Sequence, residues 1–113
     1  MSDKSIQSDI NKQMVKLMNN MGDDLSKERP VYHWIYFDTK EDMQKFIAQI
    51  IDLDYKVESH FYDENSSLAP YSVIIVKADK VDHEHVDNLS LPLLDLANQY
   101  NGFYDGWETP LEI

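Results

Sequence analysis

Cysteine is missing from the 113-residue sequence, and glycine occurs only three times. The first absence excludes a disulfide framework, a thiolate metal site and a cysteine nucleophile. The second excludes a glycine-rich loop that cradles phosphates, and no Gly-x-Ser-x-Gly elbow is present to present a serine nucleophile. Basic residues are scarce as well: 10 Lys and Arg stand against 21 Asp and Glu, for a formal net charge of -11. Displacing the counterions condensed on a nucleic acid requires cations, so direct nucleic-acid binding is not expected. The same field repels an anionic membrane surface and attracts basic partners. No apolar run approaches the ~20 residues that span a bilayer, and the first residues lead into an amphipathic stretch and not an apolar signal core. The expectation is a cytoplasmic protein of one domain, with enough apolar sequence for a single core between two layers.

What is present is patterned. From Ser5 to Met21, the residues Ile6, Ile10, Met14, Leu17, Met18 and Met21 recur at helical spacing, with Gly22 placed to end the helix. A polar, turn-rich stretch from Asp23 to Pro30 follows. Val31 to Phe37 is dense in β-branched and aromatic residues, sending Val31, His33, Ile35 and Phe37 to one face and Tyr32, Trp34 and Tyr36 to the other. Asp38 or Thr39 can cap a second helix whose buried stripe is Met43, Phe46, Ile47, Ile50 and Ile51. Tyr55 to Tyr62 alternates Tyr55, Val57, Ser59 and Phe61 against Lys56, Glu58, His60 and Tyr62. A turn through Asp63 to Pro70 joins it to the apolar strand Tyr71 to Val76. Val86, Leu89, Leu93, Leu96, Ala97 and Tyr100 then trace a third helix, kinked at Pro92 or starting late because of it. Asn101-Gly102 stops that helix, and Phe103 to Glu108 supplies a short last strand.

After the first helix the order is strand, helix, strand, strand, helix, strand. This predicts an α+β, ferredoxin-like βαββαβ sandwich: a four-stranded antiparallel sheet with two helices on one face, plus the N-terminal helix. Right-handed crossovers place the first and third strands, the two most apolar, in the centre. Residues 1–30 are read as N-terminal helix and linker and residues 31–113 as the sheet domain, together one structural unit. Two helices cover only one side of the sheet, so Tyr32, Trp34 and Tyr36 form an open aromatic face unless the N-terminal helix folds over it. Such a face serves a protein partner or a homodimer through the sheet.

Candidate chemistry rests on histidines and aspartates. His83 and His85 flank Glu84, but an i, i+2 pair does not share a helix face and the His-Glu-x-x-His spacing is absent. A solvated helix start is the simpler reading. His33 and His60 converge only if two strands bring them to one side, and a strand histidine is more often a hydrogen-bonded packing residue. Asp38, Asp54, Asp63 and Asp105 fall near strand ends, where turn formation is their ordinary role. A small metal-dependent or hydrolytic enzyme using His33, His60 or the His83/His85 pair is the alternative to a non-enzymatic binding protein without cofactor.

Three stretches together carry a resemblance. They are Asn20-Met21-Gly22-Asp23-Asp24-Leu25-Ser26-Lys27, Arg29-Pro30-Val31-Tyr32-His33-Trp34-Ile35-Tyr36-Phe37 and Ala97-Asn98-Gln99-Tyr100-Asn101-Gly102-Phe103-Tyr104-Asp105-Gly106-Trp107-Glu108. The chain resembles the regulator of ribonuclease E activity B (RraB-like) family, with Tyr-Asp-Gly-Trp as the most specific piece. The resemblance implies a ferredoxin-like fold and a regulator that binds ribonuclease E and restrains RNA decay, an enzyme inhibitor and not an enzyme. Well-studied members continue into a long acidic tail, whereas this sequence stops at Ile113. The candidate protein-binding residues are Tyr32, Trp34, Tyr36, Tyr104, Asp105, Trp107 and Glu108. Within the motif, Gly106 suits a bulge and Asp105 the bend beside it, while Tyr104 and Trp107 would hold the strand by apolar burial.

Overall fold

A computed structural model describes residues 3–113. Its elements run α1 (Asp3–Asn20), β1 (Arg29–Phe37), α2 (Lys40–Ile51), β2 (Lys56–Tyr62), β3 (Tyr71–Asp79), α3 (His83–Gln99) and β4 (Gly102–Glu108). The strands form one antiparallel sheet in the order β2-β3-β1-β4. The expected ferredoxin-like arrangement is therefore present, with the two apolar strands β1 and β3 at its centre. Val31, Ile35, Phe37, Val73 and Ile75 project from those strands into a fully buried core, which Met43, Phe46 and Ile50 of α2 and Val86, Leu89, Leu93 and Ala97 of α3 close from one side. Burying each such side chain stabilises the fold by about 1.5–3 kcal/mol before entropy is counted.

The helix ends follow their sequence signals. Thr39 caps α2, its side chain accepting from the Asp42 amide at 3.2 Å. Asp82 caps α3, which runs unbroken past Pro92, so the late start is ruled out. Ile51, expected in the buried stripe of α2, is exposed. It lies one residue, about 100° of helix rotation, beyond the Met43–Phe46–Ile50 file that faces the sheet.

The largest departure concerns α1. Its buried residues are Gln7, Asn11, Val15 and Met18, whereas Ile6, Ile10, Leu17 and Met21 are exposed. A polar network explains the choice. Asn11 donates to Asp87 Oδ1 at 2.9 Å and to Ser90 Oγ at 2.7 Å, and its Oδ1 accepts from Gln7 Nε2 at 3.0 Å and Trp107 Nε1 at 2.8 Å. Both donors and both acceptor positions of the amide are used. Ser8 adds a hydrogen bond to Asp87 Oδ2 at 2.7 Å. Turning the apolar stripe inward would leave the Trp107 indole and the Asp87 carboxylate without these partners, and a buried polar group without a partner costs about 1–3 kcal/mol. Asn11→Leu keeps the branched shape but removes the hub. It is expected to lower stability by about 2–3 kcal/mol in a denaturant titration, with far-UV circular dichroism still native.

Two bulges shape the outer strands. On β2 the pairing with β3 slips between Val57 and Ser59, so the strict alternation expected from Tyr55 to Tyr62 fails at Glu58. Beyond the slip, His60 lies opposite Val73 on the helix side, and Phe61 opposite Ser72 on the other. On β4 the slip lies between Trp34 and Ile35 of β1, with Asp105 as the extra residue and Gly106 at φ 140. That backbone conformation favours glycine. Gly102 is needed for a different reason: a Cβ there would stand 2.5 Å from the Phe37 ring.

Candidate functional site

All three helices lie on one side of the sheet. The sequence left open whether the N-terminal helix crosses Tyr32, Trp34 and Tyr36; it does not, because α1 packs on α3 and is tied to β4 through Trp107 on the helix side. Cross-strand pairing defines the uncovered face row by row. Tyr36 has Phe103 beside it on β4 and Ser72 on β3, with Phe61 of β2 beyond Ser72. Trp34 sits between Gly106 and Ile74, with Ser59 outside. Tyr32 sits between Glu108 and Val76, with Lys56 outside. Tyr32, Trp34, Tyr36, Ile74 and Val76 are all half-buried by their neighbours alone.

Sequence reasoning missed Ile74, Val76 and Phe61 as members of this face. The first two follow from simple alternation along Tyr71–Val76, because they are the residues that Val73 and Ile75 leave pointing away from the core. Phe61 was hidden by the bulge at Glu58, for which the sequence carries no glycine or other marker.

Beside the β4 bulge the face dips into a shallow pocket of about 300 Å³ lined by Trp34, Tyr36, Asp105, Gly106, Trp107 and Glu108. Asp105 and Glu108 are exposed there. Aromatic rings beside carboxylates make a seat for a cationic side chain, through ring-face attraction and charge-assisted hydrogen bonds. The residues singled out from the sequence thus divide. Tyr32, Trp34, Tyr36, Asp105 and Glu108 border the open side. Tyr104 and Trp107 are only 6% exposed, facing the helices as strand anchors, with Trp107 held by Asn11.

The histidines do not assemble a reactive site. His33 is fully buried, joined to the Tyr104 hydroxyl by a hydrogen bond of 2.7 Å and edge-on to the Tyr55 ring at 5.8 Å. Its Nε2 is buried without a partner. Burial pushes its pKa down to about 3, so the ring is neutral. Burial likewise raises the Tyr104 phenol. His60 is exposed and lies across β3 and two residues further along from His33, so the two do not converge. His83 turns to Asp87 and Ser8, whereas His85 turns to Asp82 at 2.7 Å. The Asp82 hydrogen bond raises the His85 pKa. Among the described residues no three His, Asp or Glu side chains cluster as a metal site would require. Asp63 holds a turn by accepting from the Asn65 amide at 2.9 Å, and Asp54 adopts φ 67 in the turn before β2. No helix among the described residues is long and apolar enough to cross a membrane.

Comparison with known proteins identifies a family. The family model described as RraB, Regulator of ribonuclease activity B, matches residues 8–109. That span runs from the first turns of α1 to the residue after β4, so it takes in the Asn11 hub, the open face and the bulge. No curated protein matches the sequence.

Proposed function

The chain belongs to the RraB family of regulators of ribonuclease activity, and from that membership we propose that it acts without catalysis, by docking a basic segment of a ribonuclease onto the open face of its sheet. Ribonuclease E is the proposed target, with restrained RNA decay as the outcome. The observation that carries the reading is the uncovered row Tyr32, Trp34 and Tyr36 beside the carboxylates of Asp105 and Glu108. Trp and Tyr give large contact area for little lost side-chain freedom, which is why they dominate binding energy at interfaces. A net charge of -11 draws a basic segment in, and the acidic rim competes with RNA for the same cations.

The test is a calorimetric titration with the basic scaffold region of ribonuclease E. Trp34→Ala is expected to raise Kd about 30-fold, the ~2 kcal/mol of an interface hot spot. The pair Asp105→Lys and Glu108→Lys is expected to weaken binding and flatten its salt dependence. Wild-type affinity in Trp34→Ala would remove the open face from the interface.

A further inference from the structure

Helix α1 presents a second uncovered surface, on the helix side of the sheet and separated from the aromatic row by the β4 edge strand. Ile6, Ile10, Leu17 and Met21 are 45%, 45%, 61% and 50% exposed, with half-buried Met14 between them. At 100° per residue they form one continuous stripe. The stripe borders an apolar hollow of about 280 Å³ whose walls include Ile6, Ile10, Leu94 and Phe103. Four large apolar side chains in line, each about half exposed, make an unusual surface for a chain in which the other two helices leave only Ile51 of α2 so exposed.

Three features identify what covers it. The stripe is symmetric about its middle: Ile6 and Met21 lie as far from residues 13 and 14 as each other, and so do Ile10 and Leu17. A two-fold interface requires this self-complementarity, in which residue i meets j and j meets i. Charge points the same way. Within Asp3–Asn20 there are three lysines (Lys4, Lys12, Lys16) and two aspartates (Asp3, Asp9), a net of +1 in a chain of net -11. A second copy therefore meets the least repulsion here, whereas a basic segment is drawn to the acidic surface elsewhere. Antiparallel alignment also brings Asp9 on one flank near Lys16 of the other copy, twice by symmetry.

We propose that α1 pairs antiparallel with α1 of a second copy through Ile6, Ile10, Met14, Leu17 and Met21, forming a two-fold dimer that leaves both sheet faces free. The stripe is about 22 Å long and one helix diameter, ~10 Å, wide, so it covers on the order of 220 Å², short of the ~800 Å² per partner of a standard interface, and the dimer is weak and concentration-dependent. This assignment moves self-association from the sheet face to α1.

Sedimentation velocity from micromolar to millimolar protein is the first test. The expected mass rises from 13.3 kDa toward twice that value, and Ile10→Asp with Leu17→Asp abolishes the rise while circular dichroism stays native. The absence of native cysteine makes cross-linking unambiguous. Under mild oxidation Met14→Cys is expected to link to itself, because its two copies face each other at the axis. Ile6→Cys and Met21→Cys are each expected to stay monomeric alone, since their copies stand about 22 Å apart, and to link when mixed. A constant mass of 13.3 kDa at every concentration, a dimer that survives both aspartates, or self-linking by Ile6→Cys would each overturn the proposal.

Discussion

Replacing Arg29 by methionine is expected to lower stability by about 3–5 kcal/mol, a large share of the roughly 5–15 kcal/mol that holds a domain of this size. The residue falls in a stretch that reads as a polar linker, yet its side chain and that of Asp23 are fully buried. The guanidinium donates to Asp23 Oδ2 at 2.8 Å, to the Asp24 carbonyl at 2.6 Å, to the Lys27 carbonyl at 3.2 Å and to the Pro110 carbonyl at 3.2 Å. Asp23 Oδ2 in turn accepts from the Glu112 amide at 3.1 Å. One ion pair thus ties the end of α1, the start of β1 and the segment after β4 together. Methionine would leave the Asp23 carboxylate buried without its cation, and that uncompensated charge is the main cost. Removing both charges, with Asp23→Leu and Arg29→Met, is expected to be less harmful than Arg29→Met alone. Denaturant midpoints for the three variants check the order; a double variant less stable than the single would show that carbonyl contacts, and not charge, dominate.

Acid is expected to weaken the fold from an unusually high pH because of His33. Its folded pKa of about 3 lies below the ordinary histidine value of 6.5, so between those values the unfolded chain binds the proton and the folded chain does not. Stability from this group is complete above pH 6.5 and falls as pH drops toward 3, by up to about 5 kcal/mol. Asp23 acts lower. The Arg29 hydrogen bond depresses its pKa below 3.8, so its contribution is present above that value and lost as pH falls through the depressed one. The two windows separate in a plot of unfolding free energy against pH. His33→Phe is expected to flatten the slope between pH 6 and 4 while leaving the acid limb below it. An unchanged slope in that window would mean that His33 is protonated in the folded protein.

These residues also show where sequence reasoning reached and where it stopped. The order of elements, the core side of β1, the Thr39 cap and the Gly106 bulge were legible, because each depends on local chemistry: alternation, a hydroxyl before acidic residues, or a glycine between aromatics. The buried face of α1 was not. Periodicity counts apolar residues and assigns them inward, whereas here Asn11 finds four partners on α1, α3 and β4, at positions that the sequence scatters from Gln7 to Trp107. Asp23 and Arg29 were missed in the same way, because their polar, turn-rich neighbourhood reads as a linker until the segment after β4 meets it. For the candidate site the aromatic row on β1 was legible, and the separation of Tyr104 and Trp107 from the open side followed from the bulge already read at Gly106. The phase change at Glu58, which brings Phe61 to the open face, left no mark.

Mapping backbone amide shifts by nuclear magnetic resonance, as unlabelled ribonuclease E scaffold is added to labelled protein, tests the account most directly. Perturbations are predicted to centre on Tyr32, Trp34, Tyr36, Ile74 and Val76, to extend to Asp105 and Glu108, and to leave α1 and α3 unmoved. Perturbations confined to α1 and α3, with the β1 and β3 amides silent at saturation, would contradict it.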